Sequence, residues 1–345
     1  MVLDADAVPG VAPEGLDRLT ALAGRALGCS ALIVALGRSG EAELCSEFGL
    51  GAPRGPVAEL PSLECLWLRT AEAAEALVIE SAGEDPELHE TAAVESLGIG
   101  GCVGLPLVLR GRTIGALWLL VDHPRRWSDA EVRLAEDLSQ LAAAEIGAAL
   151  GAADAGDSVH LRARRAVIEA LLGDGEEEKA MSALVEGLCR SLEWQAGSAW
   201  FSQPNRTTLV CGGVWFSGSI GLEAFGELYR SLRKEIDEDV LGQVWARQEP
   251  ILADDLSDLR GFERASTARG AGFGAGLWLP VASRGRPLGV IELLAQEPRL
   301  GESEMSLVAT SLGRQIGDLL ALRGVARETR IRWPRLTRRL GPPVS

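Results

Sequence analysis

The sequence predicts an α+β protein in which one module, a central antiparallel sheet with flanking helices, is built twice and joined by a connecting helix. Three observations carry this. A 21-residue stretch returns 174 positions later without a gap and with ten identities, among which Leu105-Pro106, Arg110-Gly111-Arg112, Gly115 and Pro124-Arg125 answer Leu279-Pro280, Arg284-Gly285-Arg286, Gly289 and Pro298-Arg299. Both halves run in the same order of helix, strands, mixed helical insert, hairpin and helix, and strands joined by hairpins with helices gathered at the chain ends describe a helix-covered antiparallel sheet. Finally, 345 residues with 47% apolar content suit two cores rather than one.

Each element follows from its local pattern. Leu16, Leu19, Leu22, Ala23 and Ala26-Leu27 fall on one helical face and lead into an apolar strand, Ala31 to Leu36. Val103 to Leu109 and Thr113 to Val121 flank Arg110-Gly111-Arg112, where a glycine between two β-rich runs supplies the positive φ of a tight hairpin. Ser128-Asp129 then offers a helix cap, and Leu134, Leu138, Leu141 and Ile146 recur at helical spacing. After Gly151 to Gly156, rich in Gly, Ala and Asp, Val159, Val167-Ile168 and Leu171-Leu172 mark the connecting helix. The second copy repeats the plan. Ala180, Leu184, Leu188 and Leu192 form a helix, Ser198 to Phe201 a strand, and Leu277 to Ala282 and Pro287 to Ala295 a hairpin. Leu307, Leu312, Ile316 and Leu319-Leu320 form the last helix. The expected divisions are a tail at 1–13, a first domain at 14–150, a linker and helix at 151–175, a second domain at 176–322 and a basic tail at 323–345.

Charge excludes some partners. With 34 Lys plus Arg against 49 Asp plus Glu, the formal net charge is -15, and an acidic field repels nucleic-acid phosphate and anionic membrane. No DNA-binding motif is present. Met1 to Gly10 carries two Asp and no Lys or Arg, unlike a secretory signal, and six Cys contain no C-x-x-C, so a cytoplasmic protein with reduced thiols is expected. The last 23 residues reverse the sign: seven Arg and one Glu give +6, leaving -21 for the rest. That tail suits an acidic partner, a membrane surface or RNA, or else an extension of the last helix resting on the chain's own acidic surface, or a disordered end after Pro334.

The second copy resembles the GAF domains of bacterial sensor kinases. The resemblance rests on Gly242-Gln243-Val244-Trp245, Pro250, Asp254-Asp255, Phe262, Arg264-Ala265, Ala268, Gly272-Phe273, Leu279-Pro280 and Leu288-Gly289-Val290-Ile291-Glu292. The first copy keeps a plainer version in Gly98-Ile99, Gly104, Leu105-Pro106, Ile114-Gly115-Ala116-Leu117 and Trp127-Ser128. The resemblance implies a tandem of ligand-binding, dimerising modules, with terminal helices on one sheet face and a pocket under the insert on the other. It names no ligand, and the cofactor stays unknown.

Candidate pocket residues are Trp67, Trp118, Trp200, Trp215 and Trp278, because large planar rings wall ligand pockets and carry an N–H handle. Sheet packing is the more frequent role of any one Trp, and Trp245 is the weakest candidate because its motif looks structural. Arg264 and Arg269 could clamp an anion bidentately, though pairing with Asp254 or Asp255 competes. His89, in the insert, is the one candidate axial haem ligand; His89, His123 and His160 lack metal-site spacing, so no metal is expected. Family relatives that reduce free methionine sulfoxide use pocket cysteines, and Cys45, Cys65 and Cys102 are offered in the first copy. None has a local Lys or His cluster to depress its pKa, and a buried apolar filler is the commoner role. Gly270 to Gly276 precedes a strand rather than a helix, so it aims no helix N-terminus at a phosphate.

These readings combine into a noncatalytic cytoplasmic regulator. It would act as a homodimer that senses a small molecule and signals, through helix packing, to a separate output protein. A cysteine-dependent reductase and a ligand-free dimeric adaptor are the alternatives.

Overall fold

The structure, a computed structural model, describes residues 13–36, 42–51, 55–57, 66–70, 73, 75–89, 91, 94, 97–149, 159–173, 177–202, 208–217, 229, 232–235, 239–297 and 302–328. Cys65 and the tail from 329 onward lie outside them. The chain divides into two compact units, the second spanning Val159–Val325.

In the first unit, α1 (Pro13–Leu27) precedes β1 (Ser30–Leu36), β2 (Ala42–Phe48), β3 (Gly55–Pro56), β4 (Leu77–Ile79), β5 (Gly101–Leu109) and β6 (Arg112–Val121), and α2 (Asp129–Ala149) closes it. The sheet order is β3-β2-β1-β6-β5-β4. In the second unit, α3 (Val159–Leu172) and α4 (Glu177–Leu192) lead to β7 (Ala196–Ser202), β8 (Thr208–Phe216) and β9 (Arg233–Glu235). Then come α5 (Val240–Arg247), β10 (Ile251–Ala253), α6 (Ala265–Gly270), β11 (Ala275–Ser283), β12 (Arg286–Ala295) and α7 (Glu302–Glu328). Its order, β10-β11-β12-β7-β8-β9, is the same topology strand for strand, and the described pairs in both sheets are antiparallel.

The duplication reaches single backbone features. Both hairpins turn on two residues with positive φ, Arg110 and Gly111 in one and Arg284 and Gly285 in the other. A two-residue loop of that kind matches the strand twist, so the arginine as well as the glycine takes the left-handed conformation. Irregularities fall at matching places, Leu107/Val108 with Val281/Ala282 and Ile33/Val34 with Ala199/Trp200. The Ala82 amide bonds the Gly100 carbonyl as the Leu256 amide bonds that of Gly274, again 174 positions on.

Each sheet has a helix face and an insert face. In the first unit α1 and α2 cover the helix face, and α2 starts with a capping box: the Glu131 carboxylate accepts from the Ser128 amide at 2.7 Å and hydroxyl at 2.8 Å, and the Glu131 amide donates back to the Ser128 hydroxyl at 3.4 Å. Arg125 bonds the Leu27 carbonyl at 2.7 Å, pairs with Glu131 and lies 4.3 Å from the Trp127 ring, tying the end of α1 to the start of α2.

In the second unit the connecting helix α3 belongs to the helix layer. It buries Ala163, Val167, Ile168 and Leu171, packs along α4, and reaches α7 through Arg164 to Ser311 (3.2 Å) and Arg323 to the Leu171 carbonyl (3.0 Å). Part of the α7 surface is therefore met by this chain's own helix α3. Beneath it, Gly313 and Gly317 sit against the Pro280 and Ala282 carbonyls of β11, where a Cβ would overlap backbone.

Candidate functional site

The opposite faces, under the inserts, hold the candidate residues. Register places Ser198 of β7, Glu292 of β12 and Trp278 of β11 side by side in one row of the second sheet. Glu292 is fully buried, between Val290 and Leu294 on the same face of its strand. A charge there is costly unless it is paired and hydrogen-bonded. It is both. The Trp278 indole donates to its Oε2 at 2.7 Å and the Ser198 hydroxyl to its Oε1 at 3.3 Å, and Ser198 accepts from the Trp200 indole at 2.8 Å.

Arg264, at the start of α6 and 6% exposed, reaches down from the insert. Its Nη2 lies 2.9 Å and its Nη1 3.3 Å from the two Glu292 oxygens, and Nη2 is 3.2 Å from Asp239 Oδ2. The guanidinium carbon stands 4.8 Å from the Tyr229 ring, 5.1 Å from Trp200 and 5.2 Å from Phe262, within cation–π reach of all three. Burial opposes the charge, but Glu292, then Tyr229 and Asp239, hold the Arg264 pKa above its ordinary value. Asp239 caps α5 by accepting from the Val240 amide at 2.6 Å. Burial pushes its carboxyl up, against the pull of Arg264 and with a further push from Glu292. Lys234 lies 3.9 Å from Asp239 and pairs with the exposed Glu263, so charges alternate from the surface to the core. Burial, then the Glu292 charge, raises the Tyr229 phenol well above its usual range.

The first unit fills the matching place with apolar groups. Register puts Leu32, Trp118 and Gly104 where the second unit has Ser198, Glu292 and Trp278. The Trp118 indole lies over Gly104, where a Cβ would stand 2.6 Å from the ring, and its Nε1 has no hydrogen-bond partner. Trp278 lies over Gly276 in the same manner, within the Gly270 to Gly276 stretch. Around Trp118 pack Leu32, Val34, Leu44, Leu66 and Cys102, with Trp67 half-buried at their edge.

The structure thus gathers Trp200, Trp278 and Arg264 at one site and Trp67, Cys102 and Trp118 at another. Three expectations need correction. His89, expected to face the pocket as a haem ligand, is exposed with Nδ1 3.0 Å from the Asp85 carbonyl, because Leu88 takes the inward position. Trp215 pairs with Gly197, on the helix face, and lies 5.7 Å from the Arg190 guanidinium of α4. Arg269 is exposed, and Arg264 pairs with Glu292 and Asp239 rather than Asp254 or Asp255. Trp245 is half-buried against the same core as Trp200. Glu292, Asp239, Tyr229 and Ser198 were missed as site residues; a lone carboxylate inside the apolar run 290–294 was the one available signal.

Cys102 is buried and Cys45 half-buried at the β1–β2 irregularity, and burial pushes the Cys29 thiol up to about 12. Among the described residues no group of three or more His, Cys, Asp or Glu could hold a metal ion, and no helix is long and apolar enough to cross a membrane.

With this geometry in place, comparison with known proteins gives the class. GAF-domain models match residues 13–146 and 175–321, so the chain belongs to the GAF-domain family and carries two such domains in tandem. GAF domains commonly bind small molecules and regulate signalling. Similar solved structures include the GAF domain of an Acinetobacter phosphoenolpyruvate-protein phosphotransferase (15% identity, TM-score 0.39, covering 50% of this chain and 99% of that one). A second is the corresponding domain from Coxiella burnetii (18%, 0.40, 50% and 98%). A third is the free methionine-R-sulfoxide reductase of Neisseria meningitidis in complex with its substrate (13%, 0.39, 49% and 94%). None of the curated proteins compared matches the chain.

Proposed function

We propose that the chain is a noncatalytic cytoplasmic regulator whose second GAF domain senses a small molecule and passes the event through its helix layer to a separate output protein, with a homodimer as the working state. The observation that carries this is the convergence of Arg264, Glu292, Asp239 and three aromatic rings under the insert. Buried ionic groups with shifted pKa values cluster at functional sites. The path to the helices is short. β11 carries Trp278 on the site face, and its Pro280 and Ala282 carbonyls meet Gly313 and Gly317 of α7. A ligand that prefers one arrangement of the insert and sheet would bias the packing of α7. The Arg-rich end of the chain is proposed as the contact for an acidic partner.

A thermal-shift screen of metabolites on the full chain tests the site. A true ligand at 100 times its Kd adds about 2.7 kcal/mol, a rise of roughly 5–10 °C for a domain of this size. The same compound should not shift Glu292→Gln, and equal shifts in both proteins would place binding elsewhere. For the reductase alternative, Cys102 is buried among apolar side chains, the setting of a packing thiol rather than of an accessible reactive one. Methionine sulfoxide turnover by the wild type that is lost in Cys102→Ser would reinstate it.

A further inference from the structure

Four elements of the second unit converge on one guanidinium: Glu292 from β12, Asp239 at the cap of α5, Trp200 from β7 and Tyr229 from the segment between β8 and β9, with Phe262 beside it. Rings around a cation above a carboxylate floor are the chemistry by which proteins recognise guanidinium and ammonium groups. The occupant is the chain's own Arg264, and it fits incompletely. Both Nη atoms are engaged, but its Nε–H is buried with no partner. The fold does not need these charges. The first unit builds the same strand order with Leu32, Val34 and Trp118 at the places of Ser198, Trp200 and Glu292. Replacing a buried ion pair by apolar packing is commonly neutral or stabilising, so stability alone gives no reason to keep the pair.

We infer that this cage is a receptor for a small organic cation bearing a guanidinium, amidinium or primary ammonium group, and that Arg264 is its built-in competitor. In the empty state Arg264 occupies the cage from the insert. A ligand cation takes over Glu292 and the rings, and Arg264 leaves with the start of α6, which it immediately precedes. This rests on the second GAF domain being the sensing site and names the chemical class that it senses. Because the competitor is tethered, the apparent affinity of the wild type is reduced by the fraction of time the cage is closed.

Methylguanidinium and agmatine are the probes, with sodium chloride at equal ionic strength and methylurea as controls, and full-length protein throughout. Arg264→Ala should bind agmatine at least about tenfold more tightly than the wild type and gain several degrees in Tm from about 10 mM methylguanidinium. Arg264→Ala/Glu292→Gln should gain nothing. A folded Arg264→Ala, checked by circular dichroism, that responds to the cations no more than to sodium chloride or methylurea overturns the inference. Should Arg264→Ala fail to fold, tryptophan fluorescence of the wild type and Glu292→Gln decides. Agmatine must perturb the first and not the second, and a response in both or neither overturns the inference. If these cations fail while another class of metabolite shifts the wild type but not Glu292→Gln, the cage assignment falls and the sensing site stands.

Discussion

At the scale of single residues, the second unit depends on Glu292. Removing it in Glu292→Ala strands Arg264 in the core, a loss of about 3–5 kcal/mol. Replacing the set together, as Arg264→Met/Glu292→Leu/Asp239→Asn, should recover most of that in urea denaturation, because the first unit shows that apolar groups fit this row. Asp239 gives a pH prediction. Its pKa is raised in the fold above the ordinary 3.8, so between those two values the folded state holds more protons than the unfolded. Stability from this group is therefore greatest below that window and falls as pH rises through the raised folded value. Asp239→Asn, which keeps a capping oxygen, should remove this slope from the difference between the two proteins, and an unchanged slope would show that Asp239 does not titrate there. Sequence legibility at this scale turned on side-chain direction. Trp200, Trp278 and Arg264 were readable as large or charged groups in the right segments. One residue of a helical turn is about 100° of rotation, enough to put Leu88 inward and His89 outward. On β8 the register slip opposite Ala199/Trp200 hides from sequence alone which face Trp215 takes.

Among the elements, the hairpins were the most legible part of the chain, because their two-residue turns impose a backbone conformation that few residues tolerate. Caps were legible too. Ser128→Ala should cost about 1 kcal/mol through loss of its capping box, read as a lowered urea midpoint with unchanged slope. The short strands β3, β4, β9 and β10 were not anticipated individually, since two or three residues carry no periodicity. The approach of α7 to β11 was equally hidden. Gly313→Ala or Gly317→Ala would drive a methyl into a strand carbonyl, costing 1 kcal/mol or more, roughly the overpacking range, despite alanine's better helix propensity. A neutral or stabilising result for either would mean that the helix stands further from the sheet.

For the molecule as a whole, the duplicated sequence translates into two sheets of identical strand order whose insert faces have opposite chemistry, apolar in the first and ionic in the second. That asymmetry could not be read from the repeat, because the ten matched residues lie mostly in turns and on the strand backbone, while the differing pair Trp118 and Glu292 falls between them. Light scattering across a range of concentrations should give twice the chain mass, and a monomer throughout would remove the dimer from the mechanism. The most direct measurement of the central claim is native mass spectrometry of the purified full chain beside Glu292→Gln. The account requires wild-type protein incubated with the compound found by thermal shift to carry its noncovalent mass, lost on denaturation and absent from the variant; the bare mass, or the same adduct, on both proteins would contradict it.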